Sequence, residues 1–199
     1  MTSKMLSRLS LLLIMFTLVA CSSTIDEPEY VERSVEEIYN QAFDSLKDRN
    51  FRRAASEFDE VERQHPYSIW ARRAMLMSAY SYYQQNKYSD AVLTARRFLA
   101  LHPGNKNAPY AYYLIAQCYY EQISDVSRDQ KNTELAVQAL RDVIRRYPET
   151  DYARDAILKL DLTYDHLAGK EMEVGRFYMK NQFYIAASKR FRNVLLKYQ

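Results

Sequence analysis

The sequence predicts an all-α solenoid of about nine helices stacked pair upon pair, and three observations carry that prediction. The first is one apolar face written four times. In Lys87–Pro103, KYSDAVLTARRFLALHP, Ala91, Ala95 and Phe98 recur at i, i+4 and i+7, and the run stops at the proline. The same frame returns as Ala54, Phe58, Val61 and Pro66, and as Ala136, Leu140, Val143 and Pro148. A fourth copy has Ala187, Phe191 and Val194, with Gln199 in the place of the proline. Three residues before the leading alanines stand Phe51, Tyr88, Thr133 and Tyr184. The second observation lies downstream of each proline. Positions +5, +8 and +16 are Ala71, Ala74 and Tyr82 after Pro66, Ala108, Ala111 and Tyr119 after Pro103, and Ala153, Ala156 and Tyr164 after Pro148. At roughly 100° per residue these three positions fall within about 80° of one another on a helix. The third is composition: 3 glycines and 5 prolines are too few for a turn-rich β protein.

Each unit therefore reads as a helix with a small-residue face, a turn, a second helix and a closing proline. That is the tetratricopeptide (TPR) pattern, whose repeat is about 34 residues. The spacings here are 37 (66 to 103), 45 (103 to 148) and 51 (148 to 199), so later units carry insertions. The 18 tyrosines and 8 phenylalanines are mostly wedges between stacked helices on this reading.

Taken in order, residues 1–20 read as a lipoprotein signal peptide. Lys4 and Arg8 give a positive start and Leu9–Val19 an apolar run too short to span a bilayer. The sequence Leu18-Val19-Ala20-Cys21 resembles the lipobox of bacterial lipoproteins, in which the cysteine takes diacylglycerol and its new amine is acylated. Cys21 is the expected lipidation site, because several acyl chains on one residue hold where one chain does not. Ser22 follows it, where lipoproteins retained at the inner membrane carry Asp, so the resemblance favours the periplasmic face of the outer membrane. Residues 21–33 read as a flexible tether, whose acidic stretch Ser22–Glu32 reaches at most about 35 Å, and residues 34–199 as the solenoid.

The first helix starts near Ser34, which stands three residues before Glu37 as a capping box requires. Helices are expected over 34–48, 51–64, 68–85, 88–101, 108–123, 133–146, 152–168, 171–180 and 183–198. Turn signals separate them at Asp48–Asn50, Asn86–Lys87, Pro103–Asn107 and Ala168–Lys170. The polar segment Ile123–Asn132, ISDVSRDQKN, lengthens the third unit; a tolerated surface loop and a contact face fit it equally.

No motif for catalysis or metal binding is present: no G-x-S-x-G, P-loop, H-E-x-x-H or Cys/His ligand spacing. The chain reads as non-enzymatic and without a cofactor. His65 and His102 precede unit-closing prolines at places held elsewhere by Tyr147 and Tyr198, which marks a packing or capping slot. Cys118 has no intramolecular disulfide partner once Cys21 is lipidated and reads as a small buried hydrophobe. Glu171 and Glu173 fall at an expected helix start, where negative charge suits the macrodipole. Formal charge is +3, and removing residues 1–20 leaves 26 basic against 25 acidic groups, +1, which does not suit a nucleic-acid partner. The arginine pairs at 52–53, 72–73, 96–97 and 145–146 read as a solvated face that leaves room for docking.

One polar–aromatic cluster suggests binding. Tyr80 and Tyr83 share a helix side with Gln84 beside them, and Tyr67 and Trp70 stand at the start of the same helix. First helices of such repeats line the concave surface, so these five residues are candidates for a groove that takes an extended peptide; core packing is the competing reading.

With the lipobox and tether in place, Glu37-Ile38-Tyr39, the unit Asn50–Pro66, the string AYSYYQQN and Val174-Gly175-Arg176-Phe177-Tyr178 resemble the BamD family, also called ComL or YfiO, from Cys21 to Gln199. The resemblance implies a lipoprotein scaffold of the β-barrel assembly (BAM) complex, with amino-terminal units recognising unfolded outer-membrane protein precursors. It implies carboxy-terminal units that dock onto BamA alongside other Bam lipoproteins. The family's arginine in the last repeat falls on Arg190, within Ala186-Ala187-Ser188-Lys189-Arg190-Phe191, where a guanidinium fork suits a partner carboxylate. Family members continue with a further helix, so the sequence is expected to lack that final helix or to have its end covered by a partner. The competing functions are a pilotin-like TPR lipoprotein escorting a secretin, and an envelope enzyme acting on peptidoglycan, for which no constellation is found.

Overall fold

The computed structural model describes residues 33–198. The expected signal peptide, the lipidation site Cys21 and nearly all of the tether lie outside them. Eight helices follow in order: α1 (Val35–Lys47), α2 (Phe51–Gln64), α3 (Ile69–Gln84), α4 (Tyr88–Leu101), α5 (Ala108–Tyr120), α6 (Lys131–Arg146), α7 (Asp151–Lys180) and α8 (Tyr184–Lys197). No strand occurs among the described residues. Each helix packs on its sequence neighbours, as in a TPR-like solenoid. In addition α1 meets α3, α3 meets α5 and α5 meets α7, whereas no second helix packs on the next second helix. The first helices therefore line the inner side of the stack.

The repeat is visible atom by atom. The leading alanines 54, 91 and 136 are fully buried, as are the paired positions Phe58 with Val61, Ala95 with Phe98, and Leu140 with Val143. The small residues Ala71, Ala74, Ala108, Ala111, Ala153 and Ala156 are buried too, which lets the first helices approach closely. Starts are capped by side chains: Ser34 Oγ accepts from the Glu37 N–H at 3.2 Å, Ser68 Oγ from Ala71 at 3.0 Å and Thr150 Oγ1 from Ala153 at 3.2 Å. Three turns are copies of one another. Arg49, Asn86 and Gln182 adopt left-handed φ of 56°, 59° and 63°. The next N–H in each bonds five residues back, Asn50 to Ser45, Lys87 to Tyr82 and Phe183 to Tyr178. The slot before the proline is also shared: His65, His102, Tyr147 and Tyr198 end their helices at φ −132°, −136°, −137° and −131°.

The tyrosine at +16 has a repeated partner, five residues after the leading alanine of the preceding helix. Tyr82 donates to Asp59 at 2.7 Å, Arg96 donates to the Tyr119 oxygen at 3.2 Å, and Arg141 lies 5.4 Å from the centre of the Tyr164 ring. These rings tie each first helix to the second helix before it.

One expectation is corrected. The turn at Ala168–Lys170 does not exist, and the two helices expected over 152–168 and 171–180 are the single helix α7, so there are eight described helices rather than nine. Gly169 is read as a turn residue from sequence, but its missing side chain serves a close approach instead. A Cβ there would stand 3.3 Å from Val126 Cγ1, and Lys170 Nζ bonds the Ser127 carbonyl at 3.0 Å. The inserted loop is clasped onto α7 at this point, and with no proline nearby the helix runs through, at about 1 kcal/mol for the glycine. Glu171 and Glu173 consequently sit inside a helix, and the macrodipole does not account for them.

Candidate peptide groove

Half-buried tyrosines recur on the successive first helices α3, α5 and α7. At the carboxy-terminal end of α3 the Tyr80 and Tyr83 rings lie 6.5 Å apart, and Tyr88 of α4 stands 6.0 Å from Tyr83. Tyr83 reaches towards Glu121 at 3.4 Å. On α5, Tyr110 and Tyr113 meet Tyr152 of α7 at 5.9 and 5.1 Å. Tyr113 donates to Asp155 Oδ2 at 2.6 Å and accepts from Gln117 Nε2, and Lys159 Nζ reaches the same carboxylate at 2.5 Å. The Lys159 ammonium also lies 5.7 Å from both the Tyr113 and Tyr120 ring centres. Aromatic faces, neutral hydroxyls and one paired charge suit an extended, unfolded chain: they offer stacking and hydrogen bonds without demanding one side chain.

Three of these phenols, Tyr83, Tyr110 and Tyr113, are held further from ionisation than an ordinary tyrosine. Burial, with the nearby Glu121 carboxylate, pushes Tyr83 up to about 12. Burial raises Tyr110 further still, and raises Tyr113 together with its bond to Asp155. Burial opposes ionisation of Lys159, yet Asp155 and Tyr113 outweigh it and the lysine is raised above its ordinary value.

The expected site residues are only partly brought together. Tyr80, Tyr83 and Gln84 are half-buried and adjacent at one end of α3, and Tyr80 and Tyr83 also pack against the core cluster that contains Ala79, Leu114 and Cys118, as the competing reading has it. Tyr67 is fully exposed in the turn before that helix, about 20 Å away along the helix at 1.5 Å per residue. Trp70 lies under Tyr39 of α1 at 4.7 Å, packs against the first unit's core and carries Arg73 over its ring at 5.5 Å. Residues that sequence reading missed are Tyr110, Tyr113, Gln117, Tyr152 and Lys159. One signal existed: Tyr110 and Tyr113 repeat on α5 the three-residue spacing of Tyr80 and Tyr83 on α3.

At the far end of the chain Arg190 Nη1 donates to both carboxylate oxygens of Glu171, at 3.1 and 3.4 Å, and Asn193 Nδ2 bonds the same group at 3.2 Å. The Arg190 side chain stays 40 % exposed. Cys118 is a buried free thiol that burial pushes up to about 12, the state of a core residue rather than a nucleophile. Among the described residues no three His, Cys, Asp or Glu side chains group as metal ligands, and no helix is long and apolar enough to cross a membrane.

Comparison with known proteins gives a consistent set of relatives. A family model described as "YfiO: Outer membrane lipoprotein" matches residues 31–199. The "Outer membrane protein assembly factor BamD" of Caulobacter vibrioides is 49% identical over 189 residues, covering 94% of this chain and 62% of that protein. Proteins of the same description from Rickettsia prowazekii and from Neisseria meningitidis serogroup A are 42% and 34% identical, with 99% and 92% of this chain and 77% and 73% of theirs covered. The chain thus spans less than two thirds of the length of the Caulobacter relative.

Proposed function

The chain belongs to the YfiO family of outer membrane lipoproteins, and from that premise we propose that it is a non-enzymatic scaffold of outer-membrane protein assembly. It receives unfolded β-barrel precursors on the tyrosine-lined inner surface and docks onto BamA, beside other Bam lipoproteins, through its carboxy-terminal helices. In this reading residues 1–20 are removed as a signal, Cys21 carries the lipid, residues 21–33 are the tether, and the solenoid stands at the periplasmic face of the outer membrane. The observation that carries the precursor role is the run of rings from Tyr83 and Tyr80 on α3 to Tyr110, Tyr113 and Tyr152 on α5 and α7. Stacking surfaces of this kind gain contact area while losing little side-chain freedom, which suits clients of varied sequence.

The test is photo-cross-linking of an unfolded precursor peptide to the full chain. Tyr80→Ala/Tyr83→Ala should lower cross-linking roughly tenfold, equivalent to about 1.4 kcal/mol, at unchanged helicity. Tyr113→Ala should lower it as well if the groove continues onto α5. Full cross-linking by the Tyr80/Tyr83 double variant would remove the groove.

Arg190 is proposed as the BamA contact, and its internal pairing with Glu171 supplies a sharper test than charge reversal alone. Arg190→Glu should weaken BamA capture by tenfold or more, as loss of one member of a charge pair does. The exchanged variant Arg190→Glu/Glu171→Arg restores the internal pair with opposite polarity. Capture should stay weak in it, because the partner carboxylate would now face a glutamate. Recovery of capture by the exchange would reduce Arg190 to a positioning residue for α8.

A further inference from the structure

A cleft of about 270 Å³ opens where α3 begins, between that helix and the turn leading into α5; Ile69, Arg72, Arg73, Asn105, Lys106 and Asn107 line it. Three cations and no carboxylate share this small space. Each of the other arginine pairs has an ion-paired member: Arg53 with Glu57, Arg97 with Glu62 and Arg145 with Asp142. Arg72 and Lys106 have no ion-pair partner among the described residues, and Arg73 rests on the face of Trp70. Uncompensated cations converging on one cleft select an anion.

The rim of the cleft narrows the choice of anion. Tyr67 is fully exposed beside it, Ile69 is more than half exposed within it, and Leu101 is exposed at the end of α4 just before the same turn. An exposed tyrosine and aliphatic side chains around basic groups form the pattern of a surface at the boundary between lipid headgroups and acyl chains. A free phosphate does not need that rim, and an acidic peptide without apolar side chains does not use it.

Chain geometry points the same way. Arg33 is held at this end of the stack: its N–H bonds Gln64 Oε1 at 3.1 Å and its carbonyl accepts from His65 Nε2 at 2.7 Å. Tyr67 is two residues beyond His65. Cys21 lies twelve residues before Arg33 in sequence, a span of at most about 40 Å when fully extended. A lipid on Cys21 would hold the bilayer within reach of this edge, and tethering raises the effective concentration of headgroups there.

We propose that this cleft binds the phosphodiester of anionic phospholipids, so that the edge bearing Tyr67, Ile69, Arg72 and Lys106 lies against the membrane and sets the orientation of the solenoid. The inference rests on the lipid-anchor reading of Cys21, and the experiment separates the two. The chain has one tryptophan, Trp70, two residues before Arg72, and so contains its own reporter. The full chain, purified with its lipid, is reconstituted into vesicles of phosphatidylcholine alone or with about one third phosphatidylglycerol, each with brominated acyl chains that quench tryptophan on contact.

Flotation with phosphatidylcholine vesicles reads the anchor, and failure to float refutes the anchor without touching the cleft. Quenching of Trp70 that requires phosphatidylglycerol and disappears in high salt reads the cleft, whether or not the anchor is present. Arg72→Glu/Lys106→Glu should raise the phosphatidylglycerol needed for half-maximal quenching by at least about tenfold, at unchanged helicity and unchanged flotation on the anchor. Equal quenching in the two vesicle types, or an unchanged response in the double variant, overturns the proposal. So does a Trp70 shift produced equally by polyglutamate, which would make the cleft a site for acidic protein segments.

Discussion

Phe58→Ala is expected to cost about 3–5 kcal/mol, the range for truncating a buried phenylalanine whose surroundings cannot collapse. Phe58 is fully buried within a cluster of Ile38, Ala42, Ala54, Val61 and Ala74. The edge of Tyr39 also meets its ring at a centroid distance of 5.5 Å. Those neighbours come from α1, α2 and α3 alone, and alanines occupy half of them; the partly buried Leu46, Trp70 and Met77 packed against the cluster would have to leave their own places to fill the void. For a domain of this size the loss should lower the melting temperature by roughly 10 °C. In a solenoid each unit depends on its immediate neighbours, so the damage should also be local. Hydrogen exchange should show lost protection in α1 to α3 while α5 to α8 stay protected. Uniform loss along the stack, or a melting temperature within 2 °C of the parent, would mean that the units do not melt semi-independently.

The same cluster explains why so much of the fold is legible in the sequence. Periodicity finds the buried face because three places are equivalent in α2, α4 and α6: a leading alanine, then Phe58, Ala95 or Leu140, then Val61, Phe98 or Val143, with the larger side chain shifting between the last two. The +16 tyrosines are readable as space-fillers, but their partners are not. Asp59, Arg96 and Arg141 share one repeat position while differing in charge, and each solves the same contact by a different interaction: acceptor, donor and cation over a ring. The proposed groove is half legible for a related reason. Residues three apart on one helix can be placed on one side from sequence, so the adjacency of Tyr80 and Tyr83 is readable. The meeting of Tyr113 with Tyr152 and Asp155 depends on the register between two helices 40 residues apart, which no local pattern encodes. Tyr67 and Trp70 illustrate the converse: they are near Tyr80 in sequence and far from it along the helix.

Glycine is where local reasoning is least informative, because one residue type serves turns and close packing alike. Gly169 lies against the inserted loop, and Gly175, also within α7, lies against α8. On helix propensity alone, Gly175→Ala should stabilise the protein by about 1 kcal/mol. The structure reverses that sign. A Cβ at Gly175 would overlap the ring of Phe191, standing 2.8 Å from its Cδ1 and closer still to Cε1. Phe191 is only partly buried and lines an open cleft of about 390 Å³ with Met179, Ala187 and Leu195, so its ring must either turn into that cleft and lose its packing on α7 or carry α8 with it. Gly175→Ala should therefore destabilise by about 1–2 kcal/mol and Gly175→Val by about 3 kcal/mol or more, the usual cost of overpacking. Where the clash displaces α8 it would also pull Arg190 from Glu171, and under the proposed Arg190 contact BamA capture should then fall with stability in these variants. Gly104→Ala is the control, because a Cβ there meets nothing within 4 Å. Rescue separates the clash from any backbone effect: Phe191→Leu in the Gly175→Ala background should recover most of the loss, although Phe191→Leu alone removes an aromatic ring. A gain in melting temperature for Gly175→Ala, or no rescue by Phe191→Leu, would show that α7 and α8 are not held at the separation that this glycine permits.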